Sequence, residues 1–116
     1  MKKEIDMFLV LLRELQKIDP EFPLQYTICL AEIALDEGLS LTTLSSRTGM
    51  PLSTVSRIIG ALSGNRQKGT PYGLIHAAIS PAERRKKELY LTSQGKAVIA
   101  NIMTILRHPQ DQVQNA

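Results

Sequence analysis

A glycine between two short amphipathic segments constrains this chain more than any other feature in it. Residues 39–62, LSLTTLSSRTGMPLSTVSRIIGAL, read at helical period as two helices broken at Gly49-Met50-Pro51. Leu41, Leu44 and Thr48 give the first segment a face. In the second, Leu52, Val55, Ile58, Ile59 and Leu62 recur at the three-and-four spacing of a buried stripe. Gly49 can take the positive φ that a tight helix-to-helix turn requires. Ser45, four residues earlier, is small enough for a second helix to cross closely, and Pro51 stands where a missing N–H is harmless. This is the helix-turn-helix arrangement, in which the second helix is the one that enters a DNA major groove. Its polar face reads Ser53, Thr54, Ser56, Arg57 and Gly60, with no carboxylate to repel phosphate.

The flanking sequence supplies a frame for that pair. Lys3 to Ile18 reads as a helix with one stripe of Ile5, Phe8, Leu9, Leu12 and Leu15 and a second apolar side at Met7, Val10 and Leu11. A surface helix needs only one such face, so this one is expected to meet two neighbours, one of them from another subunit. Prolines 20 and 23 break the pattern. A helix over Leu24 to Glu37 follows, with Ile28, Leu30, Ala31, Ile33, Ala34 and Leu35 expected inside and Gly38 as its stop. Leu39-Ser40-Leu41 reads as an extended link, with Thr42 or Thr43 capping the next helix. After Leu62, the run SGNRQKGTPYG is loop. Leu74 to Ile79 and Glu88 to Leu91 read as paired strands, joined by SPAERRKK as a hairpin tip with cations at 84, 85, 86 and 87. Thr92 then caps a last helix, Ser93 to about Arg107, nearly encircled by apolar residues, before a frayed tail. A helix-turn-helix followed by a basic hairpin is a winged helix. The fold class is therefore mainly α with a small β-hairpin (α+β), a winged helix-turn-helix with flanking N- and C-terminal dimerisation helices.

Charge is distributed in agreement with that frame. The net charge of +3 conceals −4 over residues 1–40 and +6 over residues 41–95. A positive middle behind an acidic front suits a domain whose central third faces a polyanion, although a solvated, lopsided surface would look the same. Aromatic residues are only 4% with no Trp, which argues against a stacking platform for single strands. One cysteine excludes an internal disulfide, and the apolar run Met7 to Leu12 is too short to span a membrane. A cytoplasmic location is the expectation.

The order of parts resembles the MarR family of bacterial winged-helix regulators. The matching pieces are Pro23-Leu24-Gln25-Tyr26, Leu41-Thr42-Thr43-Leu44, Ser53-Thr54-Val55-Ser56-Arg57, Gly73-Leu74-Ile75, Glu83-Arg84-Arg85, and Leu91-Thr92 through Gly95. They span roughly Leu24 to Ile105. The resemblance implies a homodimer whose first and last helices interlock on a roughly palindromic duplex. It also implies that Ser53, Thr54, Ser56 and Arg57 face bases and phosphates while Arg84 and Arg85 sit in the wing. Family members usually carry Asp before the wing arginines, holding one by an ion pair; here that position is Glu83. The loop at Ser63 to Tyr72 is longer than theirs, and members often add a further carboxy-terminal helix.

Other chemistry finds little support. Cys29 lies between Ile28 and Leu30 with no neighbouring cation to lower its pKa, so it reads as a core residue rather than a redox switch. His76 and His108 share no ligand spacing with it or with each other, so no metal site and no cofactor is expected. Neither a nucleophile elbow nor a glycine-rich phosphate loop is present, and an enzyme is not expected. The chain is thus expected to be a single domain over 1–116, with a DNA-binding core at 24–91, dimerisation helices at 1–18 and 93–107 and a flexible tail at 108–116. The expected function is a sequence-specific double-stranded DNA-binding regulator, a repressor and a homodimer, with the small-molecule effector unknown. Thr43, Arg47, Ser53, Thr54, Ser56, Arg57, Arg66, Lys68, Arg84, Arg85, Lys86 and Lys87 are its expected DNA contacts. The alternative is a winged helix serving as a protein-interaction, replication or architectural factor of a phage or plasmid.

Overall fold

The structure is a computed structural model, and it describes residues 1–64 and 71–108. The elements run α1 (Lys2–Gln16), α2 (Leu24–Leu35), α3 (Leu41–Thr48), α4 (Leu52–Leu62), β1 (Ile75–Ile79), β2 (Lys87–Leu91) and α5 (Ser93–Arg107). They divide into two compact units: Pro23–Lys96, and Met1–Phe22 together with the chain from Ala97. The first unit holds the helix-turn-helix and the wing.

In that unit α2, α3 and α4 pack on one another, and α2 and α3 also pack against β2 of the hairpin. Its core is Cys29, Leu30 and Ile33 of α2, Leu39, Leu44, then Val55, Ile58, Ile59 and Leu62 of α4, with Leu74, Ile75, Leu89 and Leu91. Burying each Leu or Ile side chain is worth about 1.5–3 kcal/mol, so the α4 stripe alone fixes which side of that helix faces solvent. Leu52 is the exception to the expected stripe, being about half exposed at the first helical position. The interior expected for α2 holds for Leu30 and Ile33 but not elsewhere. Ile28 and Ala31 are exposed, Leu35 is 80% exposed, and Ala34 is half-buried. An apolar helix with residues on several sides does not say by period alone which side turns in. The helix also stops at Leu35, two residues early, because Asp36 leaves helical geometry (φ −148°, ψ 74°). Gly38 then turns the chain at φ 96°.

Ser40, not Thr42 or Thr43, caps α3. Its hydroxyl oxygen accepts the Thr43 N–H at 3.1 Å, and Leu41 is already helical rather than extended. The residues before it lie alongside β2 as a third, extended segment of the wing. Leu89 N–H donates to Leu39 O (3.0 Å), Gly38 N–H donates to Leu89 O (2.7 Å), and Ser40 bridges Glu88. β1 and β2 are antiparallel with Ile75 opposite Leu91 and Ile79 opposite Lys87. Lys87 therefore belongs to a strand and not to the hairpin tip, and Leu74 precedes the strand rather than opening it.

Leu74 is the clamp of the unit. Its N–H donates to Leu62 O at the end of α4 (2.8 Å), and its carbonyl accepts from Thr92 N–H (3.0 Å). Thr92 caps α5 as expected, accepting the Gly95 N–H at 3.1 Å while its own hydroxyl donates to Gly73 O at 2.7 Å. Gly95 is glycine for a steric reason, since a Cβ there would collide with the Leu74 carbonyl.

In the second unit no residue of α1 is fully buried. Met7, Val10 and Leu11 are half-buried, whereas Ile5, Phe8, Leu9 and Leu12 are exposed. Asn101 Nδ2 donates to Glu14 Oε1 (3.2 Å), and Ile105 is buried on α5. Among the described residues no helix is long and apolar enough to cross a membrane.

Candidate nucleic-acid interface

The turn that presents α4 is rigid for local reasons. Gly49 adopts φ 74° and returns its N–H to Ser45 O (2.9 Å). Ser45 Oγ donates to Met50 O (2.6 Å), and Thr48 Oγ1 donates to Leu44 O (2.9 Å) while accepting the Met50 N–H (3.3 Å). Both hydroxyls of the turn are thus bonded to its backbone, and Pro51 enters α4 with no N–H to place. With the α4 stripe buried, Ser53, Ser56 and Arg57 are exposed and Thr54 is half-buried.

Three of those residues open onto the wing. Ser53, Ser56, Arg57 and Gly60 of α4 line one side of an open cleft of about 960 Å³, whose other side includes Ile75, His76 and Ala77 of β1 and Lys87 of β2. Among the described residues its lining holds the cations Arg57 and Lys87 and no carboxylate. A concave surface with cations and hydroxyls and no acid is suited to polyanion backbone and polar base edges.

The wing tip is closed by backbone bonds: Ser80 N–H donates to Lys86 O (2.9 Å), and Lys86 N–H donates to Glu83 O (3.0 Å). Arg84, Arg85, Lys86 and Lys87 are all exposed. Glu83 occupies the place where an arginine partner is implied, but its carboxylate lies 3.5 Å from Lys86 Nζ. A tight turn between residues 83 and 86 brings the lysine, not the arginine, over the carboxylate.

Two expected contacts stand differently. The Arg47 guanidinium lies 2.7 Å from Asp36 and 4.0 Å from Glu32, so it ties α3 to the end of α2 and reaches phosphate only by leaving those carboxylates. Thr43 is half-buried, its hydroxyl accepting from Ser40 Oγ at 3.0 Å in the first turn of α3. Arg66 and Lys68 lie outside the described residues.

Sequence reasoning passed over two residues of this unit. His76, weighed only as a metal ligand, lines the cleft and stacks on Tyr90 with ring centroids 5.4 Å apart. Its position opposite an aromatic residue in the register was the available signal. Glu37 accepts the Leu91 N–H with Oε1 at 2.8 Å across 54 residues, which no local pattern announces. Cys29 is fully buried, and burial, helped by nearby Glu32, pushes its thiol up to about 11. No cluster of three metal-ligating residues occurs among the described residues.

The fold is a winged helix-turn-helix. The family model for the IclR helix-turn-helix domain matches residues 30–66, from mid-α2 past the end of α4. No curated protein matches the sequence. Among solved structures, the PcaV transcriptional regulator from Streptomyces coelicolor in complex with its natural ligand is 25% identical, with a TM-score of 0.54 over 73% of this chain and 60% of its own. The MepR–DNA complex of S. aureus is 17% identical, with a TM-score of 0.76 over 96% of this chain and 84% of its own. The transcriptional repressor CouR bound to a 23-mer DNA duplex is 21% identical, with a TM-score of 0.64 over 91% and 68%. A MarR family transcription regulator, SP03579, gives 0.66 at 20% identity. The MarR likeness is thus one of structure, while the matching sequence model is that of the IclR helix-turn-helix. The chain spans 60% of the length of PcaV and of SP03579.

Proposed function

We propose that this chain is a dimeric, sequence-specific double-stranded DNA-binding regulator that represses by occluding a promoter. In this reading α4 lies in the major groove, where Ser53, Thr54, Ser56 and Arg57 meet bases and phosphates, and the wing reaches the adjacent minor groove. Arg84, Arg85, Lys86 and Lys87 supply the salt-dependent attraction to phosphate, with Arg66 and Lys68 adding to it. The observation that carries the reading is the cleft shared by the polar face of α4 and the wing strands, whose lining holds no carboxylate among the described residues. It is supported by the likeness to MepR and CouR in complexes with DNA. The apolar face of Ile5, Phe8, Leu9 and Leu12 supports a second copy as the partner of α1. In the same reading residues 24–91 are the DNA-binding core, and 1–18 and 93–107 are dimerisation helices.

Selection of duplexes from a random pool, with affinity measured at two salt concentrations, tests this directly. An enriched palindrome is expected. Arg57→Ala should then cost cognate binding on the order of 1–3 kcal/mol more than nonspecific binding, the worth of an arginine forked onto a guanine. Equal losses on both would restrict Arg57 to phosphate, and no duplex binding at all would overturn the reading.

A further inference from the structure

The wing carries a large apolar side chain for which its own fold has no use. Ile79, the last residue of β1, is 66% exposed although it sits between rungs of the ladder. It pairs with Lys87, and beyond it Ser80 N–H donates to Lys86 O at 2.9 Å. The backbone on both sides is therefore pinned, and it holds the side chain where the end of the strand places it, beyond the buried part of its face. Strand alternation puts Ile79 on the same face as Ile75 and Ala77, and antiparallel pairing puts Lys87 there too. Those three companions all line the cleft against α4. Pro81 and Ala82 follow, both exposed, and Arg84 and Arg85 follow them.

We propose that Ile79 is an apolar wedge that enters the minor groove beside the arginines of the wing. The inference rests on the DNA-binding reading above and adds to it a contact of a different chemistry. Architectural proteins insert Ile, Leu, Met, Phe or Pro between base steps or against the sugar walls of the minor groove. The occupant of the face is indicated by charge: an apolar knob paired across the strand with exposed Lys87 and followed by the exposed cations of the tip, with Glu83 paired to Lys86, meets a polyanion with apolar walls. A β-branched side chain has little rotamer freedom to lose on insertion. The pinned ladder removes the backbone cost as well.

An apolar contact and a charged one leave different marks on the salt dependence. Counterion release sets the slope of log K against log salt, whereas apolar burial shifts the line without tilting it. The test compares wild type, Ile79→Thr and Ile79→Val on a duplex carrying the enriched site and on vesicles of phosphatidylglycerol and phosphatidylcholine. Threonine keeps the branched shape that a strand favours, and valine restores most of the apolar surface. Thermal melts confirm that the variants are folded, and Ile79→Ala serves if threonine disturbs the hairpin. Expected is a loss of about tenfold for Ile79→Thr at every salt concentration, with an unchanged slope and recovery in Ile79→Val. Unchanged affinity, or a tilted line, overturns the wedge while leaving duplex binding intact. Loss on vesicles with unchanged duplex binding overturns it in favour of a lipid surface. A wild-type protein that binds no duplex refutes the regulator reading itself, and the wedge with it.

Discussion

Arg84 and Arg85 can be removed together with a quantitative expectation. Both are exposed at the closed tip of the wing, and their neighbour Lys86 takes the Glu83 carboxylate that would otherwise compete for them. Each is therefore available to neutralise one phosphate. A neutralised phosphate contributes about −0.9 to the slope of log K against log salt on B-form DNA. In a dimer Arg84→Ala/Arg85→Ala removes four such contacts, so the line should flatten by about 3.6. Between about 50 and 200 mM salt the variant should then lose roughly 150-fold less affinity than wild type does. Fluorescence anisotropy on the enriched duplex across that range reads the slope directly. Glu83→Gln gives the opposite sign, because it deletes a carboxylate beside the tip and releases Lys86, and it should tighten binding at low salt. An unaltered slope in the double variant, with binding otherwise intact, would remove the wing from the interface.

The remaining expectations concern the frame. Gly95→Ala drives a methyl into the Leu74 carbonyl, which cannot yield because Leu74 is bonded to both Leu62 and Thr92, so urea denaturation should show a loss of about 3 kcal/mol or more. A loss below about 0.5 kcal/mol would mean that α5 shifts freely on the wing. Cys29, with its thiol pushed up to about 11, should stay unreactive toward thiol reagents in the native protein at neutral pH and react only as the chain unfolds. The sign for stability follows from the raised value: the protonated thiol favours the folded state fully below pH 9.0, and that contribution is lost as pH rises toward about 11. Cys29→Ala should therefore lose less stability than wild type over that window, and rapid labelling of native protein at pH 8 would contradict the burial.

The parts of the site that could be read in advance are those specified by neighbours in the chain. Gly49, Ser45 and Pro51 settle the turn within seven residues, and the three-and-four spacing from Val55 to Leu62 settles which way α4 faces. Thr92 caps α5 three residues before Gly95. Misreadings occur where the deciding partner is distant. Ser40, Thr42 and Thr43 are equally good caps by composition, and the choice falls on Ser40 because Leu39 is held by Leu89. Arg47 looks like a free cation until Asp36, eleven residues back, is brought beside it. In α2 the apolar period offers several interiors, and only packing against α3 and α4 selects Cys29, Leu30 and Ile33.

The convergence of helix and wing on one cleft belongs to this second kind, and it depends on a residue whose side chain says nothing about its role. Leu74 reads as one more apolar residue at the head of a strand, yet its backbone joins the end of α4 to the start of α5. A hydrophobic pattern records what a side chain buries, not which carbonyl or amide it leaves available. The one trace of the clamp in the sequence is Gly95, a small residue at a helix start where alanine would favour the helix more. Its cost to the helix makes sense only once the Leu74 carbonyl is in place above it. That glycine therefore reports the register between the wing and α4, the geometry on which the shared cleft of this unit depends.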